Sequence, residues 1–194
     1  MTSIERKEKR RALVRQEVLD AAKSVLKQHG ADCLTIRKVA EVLGYSPAAL
    51  YEYFKSKDEM IIALCQQVRQ TCLKQLRRLD ATMPAVDYLK AICHEQLRVR
   101  LVPENDIILS LRLSEHLSEI PQDVVEVRDI FHDALKALKL PGLLDSGQRE
   151  KVIFMLRAFL EGVVAISVKK QVRKGSNLKE LVDDFIELML KAWR

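Results

Sequence analysis

The sequence predicts an all-α protein of nine helices, and three observations carry that prediction. Helix-breaking residues are scarce, with 6 Gly and 5 Pro in 194 residues. Aromatic residues make up 5% of the chain, too few for the aromatic and β-branched strands of a sandwich or barrel. Apolar residues recur instead at three- and four-residue spacing, between capping and stop signals, along nearly the whole length. An apolar fraction of 48% suffices for a core, and 31% charged residues suits the outer faces of amphipathic helices.

The first helix is expected from Glu5 to His29, where Leu13, Val14, Val18, Ala21, Ala22, Val25 and Leu26 form one stripe and Gly30 provides a left-handed stop. A short helix follows over Ile36 to Leu43, with Thr35 as its cap and Gly44 at its end. Ser46-Pro47 opens the next, because Ser caps well and Pro is tolerated at the first helical position; it is expected to run to Phe54. Ser56 with Glu59 three residues on reads as a capping box that launches a long helix to Leu79. Beyond it, Pro84, Pro103 and Pro121 precede helices near Ala85–Val102, Asn105–Leu117 and Pro121–Leu138. Pro141-Gly142 marks a loop, a long helix is expected over Ser146–Lys170, and Gly175-Ser176 breaks it. Asn177, with Glu180 following, caps a last helix to Ala192. The organisation expected is a three-helix N-terminal domain over residues 1–56 and a helical bundle over 57–194.

Two short amphipathic helices joined by a turn of about three residues that begins at a glycine form a helix-turn-helix. Residues 34–57 have this pattern: Ala40 is small enough for close helix approach, Gly44 allows a positive φ, and Leu50 and Phe54 anchor the second helix. The face of that helix left free carries Ser46, Ala48, Ala49, Tyr51 and Tyr53. Small side chains at a helix start let the backbone enter a major groove, while hydroxyls and terminal N–H groups bond phosphates. The charge agrees with a polyanionic partner. The chain carries +6 overall, and Arg6, Lys7, Lys9, Arg10, Arg11 and Arg15 face only Glu5 and Glu8. A solvated helix end is the competing account of that run.

The segment resembles the DNA-binding domain of the TetR family of helix-turn-helix transcriptional regulators. Ala40 and Gly44, then Leu50-Tyr51 and Phe54, then Ser56-Lys57 with Asp58 and Glu59 carry the resemblance, over roughly residues 10–65. It implies a ligand-responsive regulator, most readily a repressor, that binds palindromic double-stranded operator DNA as a homodimer. Thr35 would then cap its helix beside a phosphate, and Arg37 would reach a base edge or the backbone. Ser46, Pro47, Ala48 and Ala49 would lie at the groove-facing start of the recognition helix. Tyr51, Tyr53 and Lys57 would touch phosphates. Tyr45 is larger than the usual aliphatic residue there, and Glu52 puts a carboxylate beside the DNA face, so base readout would depend on Arg37, Tyr45 and DNA shape. Each role has a plainer alternative: a core tyrosine for Tyr51, a surface lysine for Lys57, and an i,i+4 pair with Glu41 for Arg37.

The resemblance also implies an effector pocket among the middle helices, with Cys93, His94, Gln96, Arg112 and His116 as polar candidates for a small apolar or amphipathic effector. Phe159-Leu160-Glu161-Gly162 is similar to a glycine-containing helix often found at the family's dimer interface. Phe159, Gly162, Val163, Ile166, Phe185 and Met189 are the candidate interface residues, unless those faces complete the chain's own core.

Other classes are disfavoured. Cys33, Cys65, Cys72 and Cys93 lack CxxC pairing and zinc-ligand spacing, so no metal is expected and small buried thiols are. Nucleophile-elbow, HExxH, P-loop and GxGxxG patterns are absent, so neither a catalytic residue nor a cofactor is expected. The first eleven residues are charged rather than apolar, and no apolar run reaches the ~18–20 residues of a membrane span, so a soluble cytoplasmic protein is expected. The remaining alternative keeps the fold but acts through a protein partner, as an adaptor.

Overall fold

A computed structural model describes residues 2–102, 104–105, 108, 121–168 and 177–193. Among them are eight α-helices: α1 (Ser3–His29), α2 (Ile36–Leu43), α3 (Pro47–Tyr51), α4 (Lys57–Leu76), α5 (Ala85–Arg100), α6 (Gln122–Ala137), α7 (Ser146–Val168) and α8 (Leu178–Lys191). The fold is all-α, as the composition and periodicity predict. The expected helix near Asn105–Leu117 and the expected break at Gly175-Ser176 fall largely or wholly outside the described residues. Two compact units emerge, Met1–Gln67 with Pro103–Glu115, and Val68–Val102 with His116–Arg194.

In the first unit, α1 begins at Ser3, two residues before the expected Glu5, because Thr2 and Glu5 form a reciprocal capping box. The Thr2 hydroxyl accepts from the Glu5 N–H, and the Glu5 carboxylate accepts from the Thr2 N–H. Only the second half of α1 is buried, through Val18, Leu19, Ala21, Ala22, Val25 and Leu26; every residue from Thr2 to Leu13 is exposed. Helix α2 packs against both α1 and α3. Both its ends match the sequence reading because both are set by local chemistry. The Thr35 hydroxyl accepts from the Lys38 N–H at 3.0 Å. At the other end Gly44 sits at φ 69° and ψ 23°. There the Tyr45 N–H donates to the Ala40 carbonyl and the Gly44 N–H to that of Glu41, the paired bonds of a Schellman stop.

Helix α3 is shorter than expected and ends at Tyr51 rather than Phe54. Residues 52–54 continue as a tight turn, in which the N–H groups of Tyr53 and Phe54 both donate to the Leu50 carbonyl. Helix α4 similarly ends at Leu76 rather than Leu79, with Arg78 and Leu79 closed by bonds three residues back. The Ser56–Glu59 box forms only by half. Ser56 Oγ accepts from the Glu59 N–H at 3.0 Å, but the Glu59 carboxylate passes over Ser56 to the Lys55 N–H at 2.6 Å.

In the second unit, α5 packs on α6, α7 and α8. Its buried side chains Leu89, Ile92, Cys93 and Leu97 meet Phe131 and Leu135 of α6, Leu156 and Leu160 of α7, and Ile186 and Leu190 of α8 in one apolar core. Ion pairs at its edge join Arg69 to Asp123 at 2.8 Å, Lys90 to Glu187 at 2.7 Å, and Arg100 to Glu161. The expected loop at Pro141-Gly142 is a 3₁₀ turn, Pro141–Leu143. Glycine is required there by crowding, since a Cβ on Gly142 would come within 2.9 Å of the Trp193 ring. No helix among the described residues is long and apolar enough to cross a membrane.

Candidate nucleic-acid interface

The recognition segment is built from its two anchors outward. Leu50 and Phe54 are fully buried, one at the end of α3 and one just after it. Ser46 Oγ accepts from the Ala49 N–H at 3.2 Å, and Pro47 occupies the first helical position, where a missing N–H costs nothing. With Leu50 turned inward, Tyr45, Ser46, Pro47 and Ala48 are exposed and Ala49 is half-buried. This leaves a short helix whose start offers only a hydroxyl, a ring and methyl groups outward, so its backbone can be approached closely.

The flanks of this face are polar. Tyr51 is 53% exposed, which removes the core-tyrosine alternative. Tyr53 and Lys57 are half-buried, and Thr35 is exposed at the head of α2. Arg37 is exposed too, and its suggested partner is engaged elsewhere: Lys38 Nζ holds the Glu41 carboxylate at 2.8 Å and keeps it below the usual range. An open concavity of about 440 Å³ at this corner is lined by His29, Cys33, Thr35, Arg37, Lys38 and Glu41. The surface is predominantly cationic and hydroxylated, as a phosphate contact requires.

A clamp that no local pattern announces fixes this element to α1. The Arg11 guanidinium donates to the Glu52 carbonyl at 3.5 Å, and that of Arg15 donates to the Tyr53 carbonyl and to Glu59 Oε1. Arg15 also lies 4.0 Å over the Phe54 ring. The Lys55 N–H first, and Arg15 after it, hold the Glu59 carboxyl below its ordinary value. The only advance signal is the basic run itself, because the partners lie 38 to 44 residues apart in sequence.

The remaining candidates lie in the second unit. Cys93 is buried in the core, where burial pushes its thiol up to about 12. His94 Nε2 lies 2.8 Å from Asp183 Oδ1. Gln96 is half-buried, and its buried amide nitrogen has no hydrogen-bond partner among the described residues. Arg112 and His116 lie outside the described residues. The expectation of buried thiols holds for Cys65, which bonds the Ile108 carbonyl, and for Cys93; Cys33 is exposed instead.

Helix α7 is apolar on two sides. Val152, Leu156, Leu160, Val163 and Val164 face the core. The opposite side presents Phe154, Met155, Ala158, Gly162, Ala165 and Ile166, of which Phe154 is 73% exposed. Phe159 stacks on Phe185 with centroids 3.8 Å apart, and Leu181 and Leu188 of α8 are exposed on the flank beyond Phe185. Of the candidate interface residues, Gly162 and Ile166 therefore lie on the outer face, and Phe159 and Phe185 at its edge. Val163 and Met189 are buried in the unit's own core, because they fall on the inward side of their helices.

Comparison with known proteins shows what this geometry is similar to. The model of the bacterial regulatory proteins of the tetR family matches residues 18–64, which span α2, α3 and their supports. The transcriptional regulator TtgR of Pseudomonas putida is 23% identical over 171 residues, covering 77% of this chain and 78% of that protein. The transcriptional repressor AcnR of Corynebacterium diphtheriae is 32% identical over 53 residues, 27% of this chain and 28% of that protein. The structure of SCO7222, a TetR from Streptomyces coelicolor, superposes with a TM-score of 0.70 at 16% identity, covering 92% of this chain and 96% of that one, a shared fold. With its helix-turn-helix in the matched segment, the chain is similar over residues 18–64 to the TetR family of helix-turn-helix transcriptional regulators.

Proposed function

We propose that the protein is a ligand-responsive repressor that binds a palindromic operator as a homodimer and is released by a small apolar or amphipathic effector. One observation carries the DNA-binding part: the start of α3 is exposed and nearly free of side-chain bulk, while Leu50 and Phe54 hold its other face in the core. Thr35, Arg37, Tyr45, Tyr51, Tyr53 and Lys57 surround it as base-edge and phosphate contacts. A single helix-turn-helix reads few base pairs, so a two-fold pair with half-sites about 34–36 Å apart is the arrangement that gives useful affinity. The doubly apolar α7, with the exposed Leu181 and Leu188 of α8, supports a second copy of this chain as its cover. The similarity to AcnR, a transcriptional repressor, supports repression. The Gln96 amide on α5, which has no partner among the described residues, supports a ligand contact in the second unit, since an unmet buried donor costs about 1–3 kcal/mol until something accepts from it.

The test is selection of duplexes from a random pool, followed by titration at several salt concentrations. A recurring two-fold sequence is expected, with affinity that falls steeply with salt. Arg37→Ala is expected to weaken binding to the selected duplex by about 5- to 150-fold, the range for a lost base contact, and to affect an unrelated duplex much less. Absence of any enriched sequence, with a shallow salt slope, would instead favour the adaptor that acts through a protein partner.

A further inference from the structure

The first turns of α1 are unusual for a helix in a folded unit. From Thr2 to Leu13 nothing is buried, so no core contact holds them. Their charges are segregated around the axis. Lys7, Arg11 and Arg15 follow one another at four-residue spacing on one stripe, and Arg6 and Arg10 form a second stripe beside it. Glu5 lies on the other side and is occupied by the Thr2 cap, while Glu8, three residues before Arg11, borders the first stripe. Lys7, Lys9 and Arg10 form no ion pair among the described residues. Like charges four residues apart disfavour an isolated helix, so this segment lacks an internal reason to carry them.

The clamp gives the stripe a direction. Arg11 bonds the carbonyl of Glu52 and Arg15 that of Tyr53, at the end of the recognition segment. Lys7 stands one turn further out on the same side, about 6 Å along the axis at 1.5 Å per residue, with Arg10 and Arg6 beside it. The cations therefore begin where α3 ends and lead away from it on a rigid rod. A membrane surface fits poorly, because an interfacial helix needs a continuous apolar face and the segment has only Ile4 and Leu13 to offer.

We propose that Arg6, Lys7, Arg10 and Arg11 form a second DNA contact, which grips the sugar-phosphate backbone flanking the half-site presented to α3. The proposal rests on the reading of α3 as the recognition helix. Its ligand is the phosphodiester backbone of the same duplex, and it adds affinity without sequence preference.

The triple variant Arg6→Ala/Lys7→Ala/Arg10→Ala leaves the clamp and every buried residue in place, and alanine favours helix. Its binding is measured by fluorescence anisotropy against potassium chloride, on a duplex selected by the wild-type protein and on a scrambled duplex. Each lost phosphate contact should reduce the salt slope by about 0.9, so a reduction approaching ~3 per protomer is expected on both duplexes alike. Exchanging the charges conservatively (Arg6→Lys/Lys7→Arg/Arg10→Lys) should restore the wild-type slope. Trimming the duplex to the outer edges of its half-sites should weaken the wild type and leave the triple variant unchanged. An unaltered slope, or a loss confined to the selected duplex, overturns the proposal. Failure of the recognition-helix reading is distinguishable, because the wild type would then prefer no duplex, whatever the arm contributes on scrambled DNA.

Discussion

Phe54→Ala is expected to destabilise the N-terminal unit by about 3–5 kcal/mol and to abolish specific DNA binding. The ring is fully buried, so its removal leaves a cavity as well as losing the transfer free energy of the side chain. It also carries the Arg15 guanidinium on its face, and Arg15 in turn fastens the Tyr53 carbonyl and Glu59. Losing the ring therefore loosens the clamp as well as the core, and α3 keeps Leu50 as its one deep anchor. Urea unfolding followed by hydrogen exchange of residues 34–60 measures the effect in that unit. Fluorescence of the single tryptophan, Trp193, reports the other unit separately. A loss below about 1 kcal/mol would mean that the site relaxes around the gap, and that Phe54 is not the anchor.

The second large effect concerns assembly. Phe154→Arg/Leu188→Arg places two charges on the outer apolar face, at side chains that are 73% and 64% exposed. The unfolding midpoint of the isolated chain should barely change, because neither side chain contributes to its core. A second copy, however, would have to bury two unpaired charges, at a cost of several kcal/mol. Sedimentation should find the 22.3 kDa chain in place of a dimer at micromolar concentration. Affinity for the selected duplex should fall at least about 100-fold, since the two half-sites are then bound independently. An unchanged dimer would move the interface elsewhere on the chain.

How much of this could be read from sequence depends on how local each determinant is. The bounds of α2 follow from residues next to them, Thr35 and Gly44, and both match the structure. The true start of α1 was equally local: Thr2 and Glu5 spell a capping box, but the apolar stripe begins further along and draws attention from it. The three-residue spacing makes Glu59 the expected partner of Ser56. A neighbouring N–H and an arginine from α1 offered its carboxylate more than the box alone. The side of α7 on which Val163 lies was beyond the sequence for a different reason, whereas Met189 sits with Val182, Ile186 and Leu190 on the one apolar face of an amphipathic α8. When a helix is apolar nearly all round, periodicity cannot say which side meets its own core and which awaits a partner. The exposed face of α3 was legible because its anchors, Leu50 and Phe54, and its free residues, Ser46 and Ala48, differ plainly in size and polarity.

The central claim is that α3 enters the groove by its small-residue start, and Ala48→Glu tests it most directly. Ala48 is exposed, and glutamate is a good helix former, so circular dichroism and the unfolding midpoint should match the wild type. Titrated on the duplex that the wild-type protein selects, the variant should bind at least about 100-fold more weakly, because a carboxylate would be driven against base edges and phosphates. Wild-type affinity from a folded Ala48→Glu protein would show that the α3 start does not meet DNA, and would contradict the account.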